Sequence, residues 1–330
     1  MNLSEPNPAC IRLATIDVGT NTVLLLVSDV WPFARTTVVY EEQRFARLGE
    51  GVDEARNLLP QAMKRVRDAL LAYRTICDAL NVHSIRVGGT SACRDAKNLD
   101  AFQTYLLRET GLHLEVLRGD EEAHWGFKGA TAFTENIRED ALVMDIGGGS
   151  TEIILGNARS GELHYRHSFD VGSVRMRERC FHQIPPPPDQ RQVADEWLTT
   201  LWKEVPFSLN ARLLPTFILA SGAGMALGLM ESGANAFDRS QLTQRILTHQ
   251  VVSEWFERLL HTAPEALLAM NPAVMHGRSD VFVASIHILF HFMQHFNLPE
   301  VHISGGEWRH GWLQSWGQTL LTEPESPKTV

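Results

Sequence analysis

The sequence lacks the features that mark several large classes of protein. Its four cysteines (Cys10, Cys77, Cys93 and Cys180) are far apart and form no Cys-x-x-Cys pair, which argues against a zinc site or a disulfide framework. No uncharged apolar run approaches the roughly 20 residues that a membrane-spanning helix needs. The formal net charge is −9, so the basic excess of a protein that coats nucleic acid is missing. We therefore expect neither a nucleic-acid nor a membrane partner.

The remaining composition is that of an ordinary globular protein, with 44% hydrophobic and 21% charged residues. A length of 330 residues exceeds what one hydrophobic core usually serves, so two domains are expected. The first ten residues are polar and lack the charged-then-apolar pattern of a signal peptide, which predicts a cytoplasmic protein.

One pattern occurs twice in the chain. Residues 14–27 read ATIDVGTNTVLLLV and residues 142–155 read LVMDIGGGSTEIIL, so that Asp17 aligns with Asp145. Each copy predicts a buried strand, a tight turn opened by Asp-x-Gly, and a second apolar strand. We call the two turns the first tip (19–22) and the second tip (147–151). The duplication predicts two halves that are built alike.

Each tip has the residue types of a phosphate-binding turn. Glycine has no Cβ to keep a ligand from the backbone, and successive amides of a turn can converge on an anion. An aspartate at the strand end can hold a cation that bridges to phosphate. Asp-Gly clusters also make plain hairpins, but the duplication favours a phosphate cleft where the tips meet. The predicted phosphate-binding residues of the tips are Gly19, Thr20, Asn21, Thr22, Gly147, Gly148, Gly149, Ser150 and Thr151.

Strand and helix patterns alternate along the chain, which predicts an α/β protein. We divide it into an N-terminal domain (1–133), a C-terminal domain (134–322) and a loose tail (323–330). Four consecutive prolines at 185–188 predict a stiff internal loop rather than a ligand for a proline-recognition module. Helices are predicted over 59–80, 100–109, 121–132 and 189–202, and strands over 36–40, 83–88, 113–117, 163–169, 216–219 and 300–304.

Three histidines, His287, His291 and His295, recur at every fourth residue and would share one face of a helix. Stacked imidazoles could bind a transition metal. No carboxylate or His-Glu-x-x-His pattern accompanies them in the sequence, so we favour a partly exposed face that packs on the protein.

Three segments together resemble one known family. They read GTSACRDAKN at 89–98, GDEEA at 119–123 and DIGGGSTE at 145–152. They are similar to the signatures of the exopolyphosphatase and guanosine pentaphosphate phosphohydrolase (Ppx/GppA) family, and the third matches without a change. Runs at 171–175, 220–222 and 304–309 are also similar, so the resemblance covers nearly the whole chain. The family's serine in the second segment is replaced by Arg118.

The resemblance implies a particular architecture. It predicts two ribonuclease-H-like domains, as in the actin, sugar kinase and heat-shock ATPase superfamily, flanking an interdomain cleft. Longer members carry a C-terminal helical extension, and this chain resembles a short, two-domain form. A homodimer is a further expectation.

The same resemblance implies catalytic roles. Glu122 is the expected base that takes a proton from water, with Glu121 beside it. Arg94 is expected to bind the terminal phosphoryl group and to offset charge in the transition state. Acidic residues also favour a helix N-terminus, and this explanation of the two glutamates stays open.

A magnesium ion and a phosphorylated substrate complete the implied site. Mg²⁺ prefers a few carboxylates together with phosphate oxygens and water. The expected metal-binding residues are Asp145, Glu152 and Asp17, and Thr90 and Ser91 are expected to bind phosphate. The expected substrate is inorganic polyphosphate or guanosine pentaphosphate, from which the terminal phosphate is released.

Two other functions are compatible with the paired tips. One is a small-molecule kinase of the same superfamily, and the other is a nucleotide-sensing or filament-forming module. The Gly-x-Glu-Glu-Ala segment argues against a kinase because it supplies a base for water. The fold alone would not decide between these functions.

Overall fold

The computed structural model describes residues 10–33, 35–206, 214–234, 236 and 245–322. The predicted tail (323–330) lies outside the described residues. Contacts divide the chain into two compact units. The first unit contains the described residues up to Arg118 together with the segment that begins at Trp308, and the second unit contains Gly119–Glu307.

The first unit is built on a five-stranded sheet. Its strands are β1 (Ile11–Val18), β2 (Thr22–Val30), β3 (Thr36–Phe45), β4 (Ser84–Gly89) and β5 (Leu114–Val116), and its helices are α1 (Val52–Ala55), α2 (Pro60–Ala79), α3 (Ser91–Asp95) and α4 (Leu99–Thr110). The strand order is β3-β2-β1-β4-β5, and β1 pairs antiparallel with β2 and parallel with β4.

Helix α2 shows why the apolar spacing of this region produces a helix. Its buried residues, Ala62, Val66, Ala69, Leu70, Tyr73 and Cys77, recur at intervals of one, three and four and form one face on the sheet. The Tyr73 hydroxyl donates to the carbonyl oxygens of Val23 (2.8 Å) and Glu42 (3.2 Å). Burial raises the pKa of Tyr73, so the hydroxyl keeps the proton that links α2 to β2 and β3.

The second unit is built on a six-stranded sheet. Its strands are β6 (Asp140–Ile146), β7 (Thr151–Asn157), β8 (Leu163–Phe169), β9 (Thr216–Leu219), β10 (Ile246–Thr248) and β11 (Glu300–Ile303), in the sheet order β10-β11-β9-β6-β7-β8. Its helices are α5 (Gly119–Ala132), α6 (Ser173–Arg179), α7 (Pro188–Trp202), α8 (Gly222–Ser232), α9 (His249–Leu259), α10 (Pro264–Met270), α11 (Pro272–Met275) and α12 (Phe282–His295).

The two sheets repeat one plan. Like β1, strand β6 pairs antiparallel with the strand that follows it and parallel with a later strand, β9. The register between second and third strands shifts after Val27 in the first sheet and after Leu155 in the second. These two positions correspond under the offset that aligns Asp17 with Asp145. The predicted α/β class and the predicted duplication are therefore both confirmed, down to an irregularity of the backbone.

The division of the chain differs from the predicted boundary at 133/134 in two places. Helix α5 belongs to the second unit because it packs on β6, β7 and β8. Helix α13 (Trp308–Thr322) returns to the first unit and packs on β1 and β2. Its Arg309 guanidinium lies 3.0 Å from the Glu41 carboxylate of β3. Both placements depend on contacts between distant parts of the chain, which local patterns do not reveal.

Substitution of Gly129 by alanine should destabilise the second unit. A Cβ there would lie 2.0 Å from the carbonyl oxygen of Glu307, which is backbone and cannot rotate away. Alanine improves helix propensity by about 1 kcal/mol, but overpacking of this kind costs about 1–3 kcal/mol or more. We expect a net loss in the free energy of unfolding, measured by urea denaturation. Lys128→Ala, at the half-exposed neighbouring position, should change that free energy by less than about 1 kcal/mol. A Gly129→Ala protein as stable as the wild type would contradict the packing.

Candidate active site

The two predicted tips have the same turn geometry. The amide of Gly19 donates to the carbonyl oxygen of Thr22 at 2.9 Å, and the amide of Gly147 donates to that of Ser150 at 2.9 Å. A Cβ on either glycine would lie 3.2 Å from the same acceptor. The turns are therefore closed in the same way by the same hydrogen bond, as the aligned sequences predict.

The carbonyl groups of the second tip bind the beginning of α6. The bonds join Ser173 N to Gly147 O (2.9 Å), Val174 N to Gly148 O (2.8 Å) and Arg175 Nε to Gly149 O (2.7 Å). In a trans peptide the C=O and the N–H of the next residue point in opposite directions. The amides of Gly148, Gly149 and Ser150 are consequently turned away from α6. Successive amides that point to one side form an anion-binding concavity.

The first tip is held in a similar way by the segment after β3. Arg47 N donates to Asn21 O and Gly49 N donates to Thr20 O, each at 2.9 Å. By the same peptide geometry, the amides of Asn21 and Thr22 are turned away from this segment. Both tips thus have their carbonyl groups occupied by the protein and their amides turned to the other side.

The other predicted site residues of the first unit lie near its first tip, where the parallel strands β1 and β4 end. Asp17 on β1 is in register with Gly88 on the parallel strand β4, so the chain leaving β4 runs beside the first tip. The predicted phosphate-binding residues Thr90 and Ser91 follow directly and are buried. The Arg94 guanidinium is fixed by donation from Nη1 to the carbonyl oxygen of Leu117 at 3.0 Å. The first unit therefore has four predicted site residues at or directly after the carboxyl ends of β1 and β4: Asp17, Thr90, Ser91 and Arg94.

The second unit brings together its predicted carboxylates. Asp145 on β6 and Glu152 on β7 are direct partners in the antiparallel register, so their side chains lie on one face of the sheet. The Ser168 hydroxyl donates to Glu152 Oε1 at 2.6 Å. A Cβ on Gly119 would lie 2.8 Å from Ser168 Cβ, so the first residue of α5 is in close contact with the residue that binds Glu152. Ser168 thus links the beginning of α5 to the carboxylate pair.

The two predicted catalytic glutamates occupy the first turn of α5. Glu122 is buried, with 7% of its surface exposed, whereas Glu121 is half-buried. Glu122 is therefore the more enclosed of the two glutamates. A helix N-terminus favours negative charge, so both carboxylates stand where a negative charge is stabilised.

The carboxylates of the second unit fit a magnesium site by their chemistry. Within the described residues, no group of three or more His, Cys, Asp or Glu side chains could hold a metal ion by itself. Mg²⁺ commonly takes only one or two protein carboxylates and completes its shell with phosphate oxygens and water. The pair Asp145 and Glu152 matches that requirement. Asp17 belongs to the other unit, and its part in metal binding stays a prediction.

The structure adds residues that the sequence did not single out for a role. Arg175, which is 3% exposed, holds Gly149, and Ser168 holds Glu152. Gly172 is required because a Cβ there would lie 2.6 Å from the carbonyl carbon of Gly148. The only sequence signal for Gly172 and Arg175 was the family-like run at 171–175, which carried no assigned role.

The turns after β9 and β11 are stabilised by internal contacts. The Arg278 guanidinium donates from Nη1 to Gly222 O at 2.6 Å. Burial lowers the pKa of Arg278 to about 10, and the nearby Glu307 opposes this shift. After β11, the Ser304 hydroxyl donates to the carbonyl oxygen of Ala130 on α5 at 2.9 Å. Turns of small residues that follow a strand are of the kind that lines nucleotide or phosphate clefts, and such a role for these two turns stays a prediction.

The three histidines do lie on one helix, α12, and they pack on the protein. His287 is buried and its Nε2 lies 2.5 Å from Asp195 Oδ1 on α7, whereas His291 is half-buried and His295 is exposed, so the expected partly exposed face is confirmed. The carboxylate beside His287 comes from a different helix, so the sequence around the histidines does not reveal it. His291 Nδ1 accepts from Trp202 Nε1 at 3.1 Å, and burial lowers the pKa of His291, which favours this neutral acceptor. These contacts explain His287 and His291 as packing residues of the second unit, and His295 lies at the exposed end of the same helix face.

Comparison with solved structures defines the class of protein. The chain resembles the crystal structure of an exopolyphosphatase from Cytophaga hutchinsonii with a TM-score of 0.82 and 26% identity, covering 92% of this chain and 97% of that one. Together with the repeated sheet plan, this likeness confirms two ribonuclease-H-like domains. No helix within the described ranges is long and apolar enough to cross a membrane.

Sequence comparison then gives the family. The model of the Ppx/GppA phosphatase family matches residues 26–320, so the chain belongs to this family and is a hydrolase. It is 34% identical over 286 residues to exopolyphosphatase 2 of Mycobacterium tuberculosis, covering 83% of this chain and 87% of that protein. It is 26% identical over 308 residues to the guanosine-5'-triphosphate,3'-diphosphate pyrophosphatase of Photobacterium profundum, covering 93% of this chain and 59% of that protein. The matches favour a hydrolase over the kinase and sensor alternatives.

Gly172→Ala should weaken anion binding at the second tip without unfolding the protein. Gly172 has φ −152°, which alanine adopts freely, so the effect comes from the contact with Gly148 and Gly149. The tip must shift, and displacement of a binding loop by a fraction of an ångström should cost roughly tenfold or more in affinity. Isothermal titration with tungstate, a phosphate mimic, measures the change. Val174→Ala, at the half-buried position after Ser173, is the matched control because it keeps the backbone amide that binds Gly148 O. Equal tungstate affinities for both variants and the wild type would contradict the role of the contact between Gly172 and the second tip.

Asp195→Asn should destabilise the second unit in a pH-dependent way. Burial raises the pKa of Asp195, but the hydrogen bond from His287 and the nearby charges of His287, His291 and Arg191 together outweigh burial and hold the pKa below its ordinary value of 3.8. A lowered folded-state pKa contributes stability above the unfolded value, and this stability is lost as the pH falls through the folded value. Because His287 is buried but Asp195 is half-exposed, the pair should contribute only about 1 kcal/mol at pH 7.

Thermal unfolding from pH 7 to pH 3 measures this contribution. The melting temperature of Asp195→Asn should be lower than that of the wild type at neutral pH. This difference in melting temperature should become smaller below pH 3.8, the ordinary pKa of aspartate. Glu196→Gln, on the exposed neighbouring position, should behave as the wild type at every pH. A difference that stays constant with pH would refute the ionic contribution of Asp195.

Proposed function

We propose that the protein removes the terminal phosphate from inorganic polyphosphate or guanosine pentaphosphate by attack of water on the phosphoanhydride bond, with Mg²⁺ as cofactor. The observation that carries this proposal is the pair of tips whose amides are turned away from the segments that hold them. Names of relatives in both substrate groups support it, since one is an exopolyphosphatase and another a guanosine pentaphosphate pyrophosphatase. A cytoplasmic homodimer remains part of the proposal.

Glu122 is the proposed general base. It occupies the first turn of α5, where the helix N-terminus favours the ionised carboxylate, the form that accepts a proton. The contact between Gly119 and Ser168, which binds Glu152, supports a position of this turn near the proposed metal ligands. Glu121 is half-buried and is proposed to have a supporting role.

Arg94 is proposed to neutralise the terminal phosphoryl group. A guanidinium matches phosphate oxygens in a fork-like arrangement, and it keeps its charge at all working pH values. Its bond to Leu117 O fixes its orientation, so less side-chain entropy is lost when substrate binds. Amides and hydroxyls of the two tips, with Thr90 and Ser91, are proposed to bind the phosphates.

Asp145 and Glu152 are the proposed magnesium ligands, with Asp17 assisting. The ion, when bound, would neutralise phosphate charge and help to orient the phosphoryl group. Glu152 is held by Ser168, which fixes the rotamer of the carboxylate before any ligand arrives. The protein's own part in this step is thus to present two oriented carboxylates on one sheet face.

Glu122→Gln should lower kcat by roughly 10²–10⁴-fold, because the amide cannot accept the proton of water. The KM should change little, since the substitution keeps the size of the side chain. The assay is phosphate release with Mg²⁺ from long-chain polyphosphate, tripolyphosphate, guanosine pentaphosphate and ATP. Glu121→Gln is the matched control on the same helical turn and should retain most of the activity. Full activity of Glu122→Gln would remove Glu122 from the mechanism, and a wild type silent on all four substrates would refute the proposed function.

A further inference from the structure

Trp308 binds the carboxylate that precedes the first tip. Its indole Nε1 donates to Asp17 Oδ2 at 3.2 Å. Both residues are buried, with exposed fractions of 3% for Trp308 and 8% for Asp17. An indole N–H only donates, so its partner must be an acceptor, and an ionised carboxylate is the stronger acceptor. The bond therefore favours one orientation of the Asp17 carboxylate.

The strand beside Asp17 is shaped to admit this indole. Gly88 on β4 is the register partner of Asp17. A Cβ at Gly88 would lie 2.6 Å from Trp308 Cη2 and 3.3 Å from Trp312 Cζ3. Glycine weakens a strand, and its presence here is explained by the close approach of the ring. The absence of a side chain at Gly88 thus leaves the space in which the Trp308 ring lies beside Asp17.

The helix that carries Trp308 is fixed to the same sheet. The hydroxyl of Thr15 on β1 donates to the carbonyl oxygen of Arg309 at 3.2 Å. Arg309 in turn forms the 3.0 Å ion pair with Glu41, and both groups are at least four-fifths buried. Further along α13, a Cβ on Gly317 would lie 2.6 Å from Val30 Cγ1. The indole is consequently held by a helix that cannot shift without breaking several buried contacts.

Trp312 offers an internal comparison. It lies one turn further along α13, its ring centroid is 5.6 Å from that of Trp308, and it also contacts the Gly88 position. Its polar contact is different, because the Arg86 guanidinium lies 5.5 Å from the centroid of its ring. The two tryptophans therefore share packing, whereas the bond to Asp17 belongs to Trp308.

We propose that Trp308 is a positioning residue that holds the Asp17 carboxylate in its working orientation at the first tip. The inference rests on the proposed function, because it assumes that Asp17 takes part in phosphate release. Trp308 does not itself contact substrate in this account. It acts through one hydrogen bond, and Gly88 provides the space for the ring that makes it.

Replacement of Trp308 by phenylalanine tests the bond, since most of the ring is kept and the N–H is lost. Loss of a hydrogen bond to a charged group should lower kcat roughly tenfold, with KM changed less than about twofold. Trp312→Phe is the matched control and should leave kcat near the wild-type value while lowering the melting temperature by a similar amount. A structural role alone would lower both melting temperatures and spare kcat in both variants.

A double-mutant cycle with Asp17→Asn tests whether the effect passes through Asp17. We expect Trp308→Phe to change kcat less than about twofold when Asp17 is already replaced. If Trp308→Phe does not fold, Gly88→Ala takes its place, because the new Cβ displaces the ring and leaves the N–H intact. Full additivity, an unchanged kcat in a folded Trp308→Phe protein, or full activity of Asp17→Asn would overturn the inference. A wild type without phosphate release would instead refute the proposed function.

Discussion

The structure depends on a simple constraint of the peptide bond: a carbonyl group bound on one side turns the next amide to the other. In the second tip, α6 binds three successive carbonyl groups, and in the first tip the segment after β3 binds two. Within each tip the amides are therefore already turned to one side, so little reorganisation of that turn is needed when an anion binds. Buried Arg175 adds a side-chain bond to the second tip, and Gly172 provides the space that lets α6 approach.

The chemistry is arranged around these rigid turns by short contacts between neighbouring elements. Glu152 lies opposite Asp145 because the two residues belong to one hairpin: Asp145 precedes its turn and Glu152 follows it. Ser168 on the next strand binds Glu152 and contacts the first residue of α5. The glutamates of α5 are therefore placed by the same sheet that supplies the carboxylate pair. In the first unit, Asp17 is placed in the same way by β1 and held by Trp308.

Local pattern predicted the elements that depend on local physics. The strands over 163–169 and 216–219 have the predicted bounds, and α2 has the predicted buried face, because alternation and helical periodicity record burial directly. The duplicated turns were predicted down to their residues. The pattern could not show partners that are distant in sequence, such as Asp195 for His287, 92 positions away, or Trp308 for Asp17, 291 positions away. For the same reason, the sequence pattern did not show that α5 belongs to the second unit and α13 to the first.

The measurement that tests the central claim most directly is hydrolysis in oxygen-18-labelled water, with mass spectrometry of both products. The account places the attack of water on the terminal phosphorus of polyphosphate or guanosine pentaphosphate, so the released phosphate should carry one labelled oxygen. The shortened substrate should carry none, because the bridging oxygen leaves with it. Unlabelled phosphate, or label in the shortened substrate instead, would contradict direct attack of water on the phosphate that is released.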